Sequence, residues 1–346
     1  MHRSSLLRDL LSTSAVQLLS VLMNAASLAV IARRLGDGSL GLYTLERRSM
    51  ALLQPIVLLG LTVAVPRFVA GRPADSDAER GAFASGGVAV VLVVSGVVTA
   101  LMLLVPSPVA AVAFGDDDAV ALARALAGFV FAMAAYQVVY SAFRGWIMVG
   151  WANALELLAV GALPLALALG GPRAVDDLVW ALTAAILAVT VVFGAFGLGR
   201  RLQARPAAIA ERIPTLLRFG LARTPGDLAV VALFSLAPLV VVHAADSTQA
   251  GYASIVLSSL NLVSVAAVPL STVLLTRAAA DHAAGLAEGS EKYRLLWCAT
   301  VDAAIGVCGL LLVASPLVVA LWFSSSSDDL VIAQQIAALG VPGYIV

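Results

Sequence analysis

The sequence predicts an all-α, polytopic integral membrane protein built as two parallel-repeat helical bundles. Three observations predict it. Hydrophobic residues make up 61% of the 346 positions and charged residues only 12%, where soluble domains run about 45–50% apolar and about 25% charged. The apolar excess is gathered in blocks of about 20 residues, the length that crosses a bilayer. Finally, blocks such as Val88–Val105 and Trp180–Leu198 lack the apolar/polar alternation of a barrel strand. Hydrocarbon cannot satisfy a backbone, so each block must be a helix.

In chain order, nine complete spans are expected near Leu10–Ala32, Met50–Ala70, Ala82–Val105, Ala119–Ala142, Ala152–Gly170, Leu178–Leu198, Leu216–Val242, Ala250–Leu275 and Leu295–Trp322. A tenth opens near Leu330 and is unfinished at Val346. Short loops that retain Arg and Lys mark the cytoplasmic side. With the amino terminus inside, Arg3, Arg8, Arg72, Arg80, Arg144, Arg200, Arg201, Arg205, Arg212, Arg277, Lys292 and Arg294 are all cytoplasmic. The other side then carries Arg33, Arg34 and Arg173 and the acidic loops Asp116–Asp118, Asp176–Asp177, Asp246 and Asp328–Asp329.

The chain also repeats itself at an offset of 210 residues. Leu6-Leu7-Arg8 meets Leu216-Leu217-Arg218, Gly41 meets Gly251 beside Tyr43 and Tyr252, and Arg67 meets Arg277. Slightly out of step, Ser107-Pro108 meets Ser315-Pro316 and Asp117-Asp118 meets Asp328-Asp329. The same order of matches across three helices makes chance the weaker explanation. The first unit has an even number of spans, so the repeats are parallel, related by an axis along the membrane normal. The expected division is an amino-terminal bundle of six helices over residues 1–200, a cytoplasmic linker over 201–212 and an incomplete second bundle over 213–346. By the repeat, a complete design would have twelve spans.

Several stretches carry a family resemblance. They are the opening Leu-Leu-Arg-Asp, then Ala32-Arg33-Arg34-Leu35-Gly36, Gly41-Leu42-Tyr43, Gly60-Leu61 and Val65-Pro66-Arg67-Phe68. Arg218-Phe219-Gly220-Leu221 and Ala250-Gly251-Tyr252 continue it. The chain resembles the polysaccharide flippases, the Wzx-type or O-antigen exporters, whose superfamily includes multidrug/toxin exporters and lipid II flippases. The resemblance implies two six-helix bundles around a central cavity in the cytoplasmic membrane. It also implies a polyprenyl-pyrophosphate-linked oligosaccharide as substrate, with membrane lipid and other polysaccharide-assembly proteins as partners. No cofactor is implied beyond coupling to a proton or Na⁺.

Ionisable groups at membrane depth face a cavity or a partner. Helix two opens with Glu46-Arg47-Arg48, and Arg47 shares a helix face with Gln54, beside Pro55, which is expected to bend the helix there. Arg47, Arg48 and Gln54 form either a cationic cavity wall for a phosphate-bearing head group or a snorkelling pair at the outer interface. Arg223 and Asp227 lie one turn apart around Pro225-Gly226. They mark either a hinge with a charged pair or a helix that starts only after Asp227. Glu156 and Asp302 either bind the coupling ion or make packing hydrogen bonds.

Other functions lack their machinery. Net charge is zero, which argues against nucleic acid. Cys298 and Cys308 fit neither a disulfide within one helix nor a metal site. Neither a P-loop nor a Gly-x-Ser-x-Gly elbow is present, and the chain is not expected to be an enzyme. A drug or cation exporter of the same superfamily is the alternative, although the Arg excess points away from cationic drugs. A glycan polymerase or ligase is disfavoured by the short outer loops.

Overall fold

The computed structural model describes residues 3–72, 77–202, 204–254, 256–257 and scattered positions between 298 and 335. The described residues are overwhelmingly helical and contain no strand. The elements are α1 (Arg3–Leu35), α2 (Asp37–Leu58), α3 (Leu61–Ala70), α4 (Asp77–Leu104), α5 (Pro106–Phe114) and α6 (Val120–Gly145). Then come α7 (Val149–Glu156), α8 (Leu163–Leu169), α9 (Val175–Phe193) and α10 (Pro206–Ala244). Among the described residues, six stretches of helix are long and apolar enough to cross a membrane, and the bent pair α2–α3 makes a seventh. These match the first seven expected spans in order. The eighth to tenth expected spans fall largely outside the described residues, as does the comparison of residues 1–200 with 213–346.

Chain contacts divide the protein into two compact units, Leu19–Gly251 and the pairing of Met1–Leu18 with Tyr252–Val346. The first is described well enough to show its core. Its centre is α6, the most buried of the long helices, packed by α2, α3, α4, α5 and α9. Alanines 123, 125, 127, 132, 134 and 135 are buried along it. Small residues let neighbouring backbones approach where no hydrophobic drive separates helix from lipid. Gly128 shows how close they come: a Cβ there would lie 2.9 Å from the Trp180 ring of α9.

Successive helices alternate between two faces. One, the linker face, carries the α3–α4, α6–α7 and α9–α10 junctions. The opposite face carries the ends of α1, α8 and α10 and the whole of α5. At the linker face the segment between α9 and α10 is pinned down. Ser85 Oγ donates to the Leu202 carbonyl at 2.7 Å, and a Cβ on Gly81 would strike the Arg201 carbonyl oxygen at 2.6 Å. Arg80 and Arg201 both lie over the Trp146 ring, 4.2 and 5.0 Å from its centroid. Arg72 and Arg212 both reach Glu79, at 3.3 and 3.6 Å.

Four local expectations change. Pro55 was expected to bend helix two, yet it sits inside α2. The 47° bend falls at Leu59–Gly60, where both residues adopt left-handed backbone, φ 49° and 66°. Leu59 N–H still caps the Pro55 carbonyl, so α2 terminates in a left-handed C-cap. Second, α10 neither breaks at Pro225-Gly226 nor starts after Asp227: it is continuous from Pro206, with Pro214, Pro225 and Pro238 inside it. Third, α10 begins at Pro206, ten residues before the expected start of the seventh span at Leu216, because proline at the first helical position starts it early. Fourth, Pro106–Phe114, expected as loop, is the apolar helix α5, also begun by proline.

The glycines paired by the 210-residue offset are in contact. A Cβ on Gly251 would sit 2.7 Å from the Gly41 Cα, and one on Gly41 would meet the Ser247 carbonyl oxygen at 2.0 Å.

Candidate functional site

Polar side chains within the spans of the Leu19–Gly251 unit gather in three places. The first is the α3–α10 crossing. Here the apolar packing opens into a cavity of about 560 Å³ lined by Phe68, Thr215, Arg218, Phe219, Ala222 and Arg223. Arg67 stacks over the Phe219 ring at 4.6 Å, and Phe68 meets Phe219 edge-on at 5.8 Å. Arg223 is held by Asp227 one turn along α10, Nε to Oδ1 3.1 Å. Continuity of α10 makes this pair possible: residues four apart share a face only on an unbroken helix. Two guanidiniums therefore line an aromatic-walled cavity, a third, Arg67, backs it through Phe219, and one carboxylate, Asp227, is paired with Arg223. Asp227 offsets Arg223, leaving a net positive pocket suited to an anion with planar oxygens.

The second cluster lies on α2 toward the opposite face. Arg47 donates from Nη1 to Asn24 Oδ1 of α1 and lies over the Tyr43 ring. Glu46 is wholly buried, and neither of its carboxylate oxygens has a hydrogen-bond partner among the described residues. Two turns further, Gln54 is 7% exposed with both amide atoms unpartnered. Such orphaned groups cost about 1–3 kcal/mol each, and Glu46 is the one fully buried carboxylate among the described residues.

The third is a relay at the linker face. Arg144 Nη1 donates to Tyr140 Oη at 3.0 Å, and Tyr140 Oη donates to Glu156 Oε2 at 3.0 Å. Glu156 is the last residue of α7, immediately before a π-helical segment, Leu157–Ala162. Such segments interrupt the helical ladder and re-aim neighbouring side chains.

The expected site residues are thus distributed rather than assembled. Arg47, Arg48 and Gln54 share α2, while Arg223 and Asp227 belong to the α3–α10 cavity. Since Gly60 touches Gly220, Arg47 stands about 20 Å up α2 from the level of the arginine cavity, at 1.5 Å per residue. Glu156 sits in the tyrosine relay. Asp302 is exposed and belongs to the other compact unit. Sequence reasoning missed Arg67 and Arg218 as cavity residues, Asn24 as the Arg47 partner, and Tyr140. The usable signal for the two arginines was their position inside the apolar spans Met50–Ala70 and Leu216–Val242.

No protein-family model and no curated protein sequence matches the chain. Solved structures do. An inward-facing multidrug resistance MATE family transporter of the MOP superfamily is 16% identical, with a TM-score of 0.70 over 97% of this chain and 81% of that one. The eukaryotic MATE transporter AtDTX14 is 16% identical, TM-score 0.70, covering 97% and 79%. A MOP superfamily transporter from Pyrococcus furiosus, for which a reverse polarity of the binding pocket suggests a different function, is 17% identical, TM-score 0.64, covering 98% and 79%. The protein therefore has the fold of the MATE transporters.

Proposed function

We propose that this protein is a transporter that carries a polyprenyl-pyrophosphate-linked oligosaccharide across the cytoplasmic membrane, with its amino terminus and linker face in the cytoplasm. The observation that carries the reading is the α3–α10 cavity, where Arg218 and Arg223 line the wall and Arg67 backs it through Phe219. A diphosphate drawn away from water needs fixed charge-assisted donors, and the arginine fork supplies them in pairs. The Pyrococcus furiosus relative with reversed pocket polarity gives a precedent within this fold for a departure in binding-pocket charge. Glu156 in its tyrosine relay, Asp227 and Asp302 are the groups proposed to carry a coupling proton or Na⁺. Arg47 and Arg48, toward the opposite face, are proposed as a later contact for the same head group.

The test is complementation of surface polysaccharide with the full-length gene. Losing one charge-assisted contact costs about 1.5–3 kcal/mol, roughly ten- to a hundredfold in binding. Arg218→Ala and Arg223→Ala should each sharply reduce surface polysaccharide at unchanged membrane level. Arg47→Ala should also reduce it, with partial recovery in Arg47→Lys. The control Arg173→Ala should be neutral. Wild-type polysaccharide in all of the cavity variants would sink the reading. The second reading, a multidrug exporter, is favoured by the similarity to a multidrug resistance MATE family transporter. It predicts efflux of cationic dyes that survives loss of the arginines.

A further inference from the structure

A second cavity, of about 330 Å³, opens in the Leu19–Gly251 unit toward the face opposite the linker. Five helices wall it: Leu53 of α2, Met102 of α4, Val112 of α5, Leu126 of α6 and Leu239 of α10. Met102 and Leu126 are buried at its floor, while Val112 at its mouth is 70% exposed. The neighbouring Leu104 and Val105 are exposed as well. In a bilayer these exposed groups stand in hydrocarbon, so the mouth opens to lipid.

Among the described lining residues the one polar side chain is Ser49. It is 6% exposed, and its hydroxyl has no hydrogen-bond partner among the described residues. A helical serine ordinarily returns its hydroxyl to the carbonyl one turn back. Ser95 does so to Val91 at 2.6 Å, and Ser141 to Gln137 at 2.7 Å. Ser49 does not, and its donor is left for whatever fills the cavity. Water is a poor occupant, because a buried water needs two to four polar partners and the wall offers a single hydroxyl. A pure hydrocarbon chain fits the wall but leaves that donor unmet. Ser49 shares the cavity with Met102 and Leu239, which lie within two turns of the ends of α4 and α10, near the depth at which a lipid passes from hydrocarbon to its ester linkage.

We propose that this cavity seats one acyl chain of an ester-linked membrane phospholipid, whose ester carbonyl accepts a hydrogen bond from Ser49 Oγ. The site is separate from the arginine cavity and does not depend on what is transported. The unbranched chain fills the slot between α5 and α10, and Ser49 sets how deep it sits. A polyprenyl tail would enter the same hydrocarbon mouth but carries no oxygen along its length to meet the hydroxyl.

The full chain, purified in mild detergent and stripped of lipid, is titrated with dioleoylphosphatidylglycerol and with its ether-linked analogue, and bound lipid is counted by native mass spectrometry. Ser49→Ala should weaken the ester lipid about fivefold, the equivalent of one hydrogen bond near 1 kcal/mol, and leave the ether lipid unchanged. Val112→Trp should plug the mouth and remove both lipids without lowering the melting temperature. Leu239→Trp provides a second plug should the first variant fold poorly. Equal binding of the ester lipid by wild type and Ser49→Ala would overturn the proposal. So would retention of lipid by both plugged variants, or full displacement of the bound phospholipid by an equimolar polyprenyl phosphate, which would assign the cavity to an isoprenoid tail.

Discussion

Gly60 and Gly220 meet backbone to backbone. A Cβ on Gly60 would lie 2.5 Å from the Gly220 carbonyl oxygen, and one on Gly220 only 2.1 Å from the carbonyl oxygen of Leu59. The crossing sits at the α2–α3 bend, beside the arginine cavity. Gly41 makes a similar approach to Ser247 at the far end of α2. The α2–α3 pair is therefore seated against the α10 segment by glycine at both ends, and the position of Arg218 and Arg223 depends on the first of these contacts.

Gly220→Ala should destabilise the protein by at least about 1–3 kcal/mol, since the methyl strikes backbone that cannot rotate away. Gly226→Ala, six residues on in the same helix, meets nothing within 4 Å and should stabilise by about 0.5–1 kcal/mol through backbone entropy. Melting temperatures in detergent should move in opposite directions. Movement in the same direction would mean that the crossing is looser than described.

Trp146 should control access to the linker. Its ring takes Arg80 and Arg201 together, contacts worth about 0.5–1 kcal/mol each when exposed and more when desolvated. Trp146→Ala should speed trypsin cleavage between Arg200 and Arg205 several-fold in the solubilised protein. Trp146→Phe should restore most of the protection, because the indole N–H has no partner among the described residues. Cleavage unaffected by either change would show that Ser85 and Gly81 hold the linker unaided.

Gln54→Leu should raise stability by about 1 kcal/mol or more, as it removes a buried amide with no partner among the described residues. If the amide serves a transported group, surface polysaccharide should fall in the same variant. Stability that drops would show that the amide has a bound partner in the membrane.

Topology is checked by cysteine labelling of intact cells. Asp117→Cys and Asp177→Cys should react with a membrane-impermeant maleimide, and Arg205→Cys should not. Labelling at position 205 from outside would reverse the proposed orientation.

What could be read from sequence followed the physics of each feature. Seven spans were legible because apolar run length alone sets them. The bend at Leu59–Gly60 was not, because leucine rarely takes left-handed backbone and Pro55 offered the more obvious breaker. Continuity of α10 was hidden for a related reason: Pro225-Gly226 carries a strong local break signal, yet membrane-spanning helices tolerate such residues and α10 runs straight through them. Glu46 read as part of a charged helix end, yet α2 starts nine residues earlier at Asp37, which draws Glu46 into the core. Arg223 and Asp227 were legible as a pair from spacing. The aromatic wall that makes a cavity beside them, Phe68 and Phe219, required α3 to be brought against α10.

The better-described compact unit, Leu19–Gly251, is one uninterrupted stretch of chain, whereas the other joins Met1–Leu18 to everything from Tyr252 onward. Membrane proteins emerge amino terminus first, and domains generally fold as units during synthesis. The contiguous unit can therefore complete its contacts, the linker clamp and the glycine crossings included, as soon as Gly251 has left the ribosome. The split unit has to keep its first segment waiting until the late helices are made. Ribosome stalling far enough beyond Gly251 for that residue to clear the exit tunnel should yield a nascent chain whose arginine cavity is already formed, and assembly defects should concentrate in the partner segments that are separated by the whole of that finished unit.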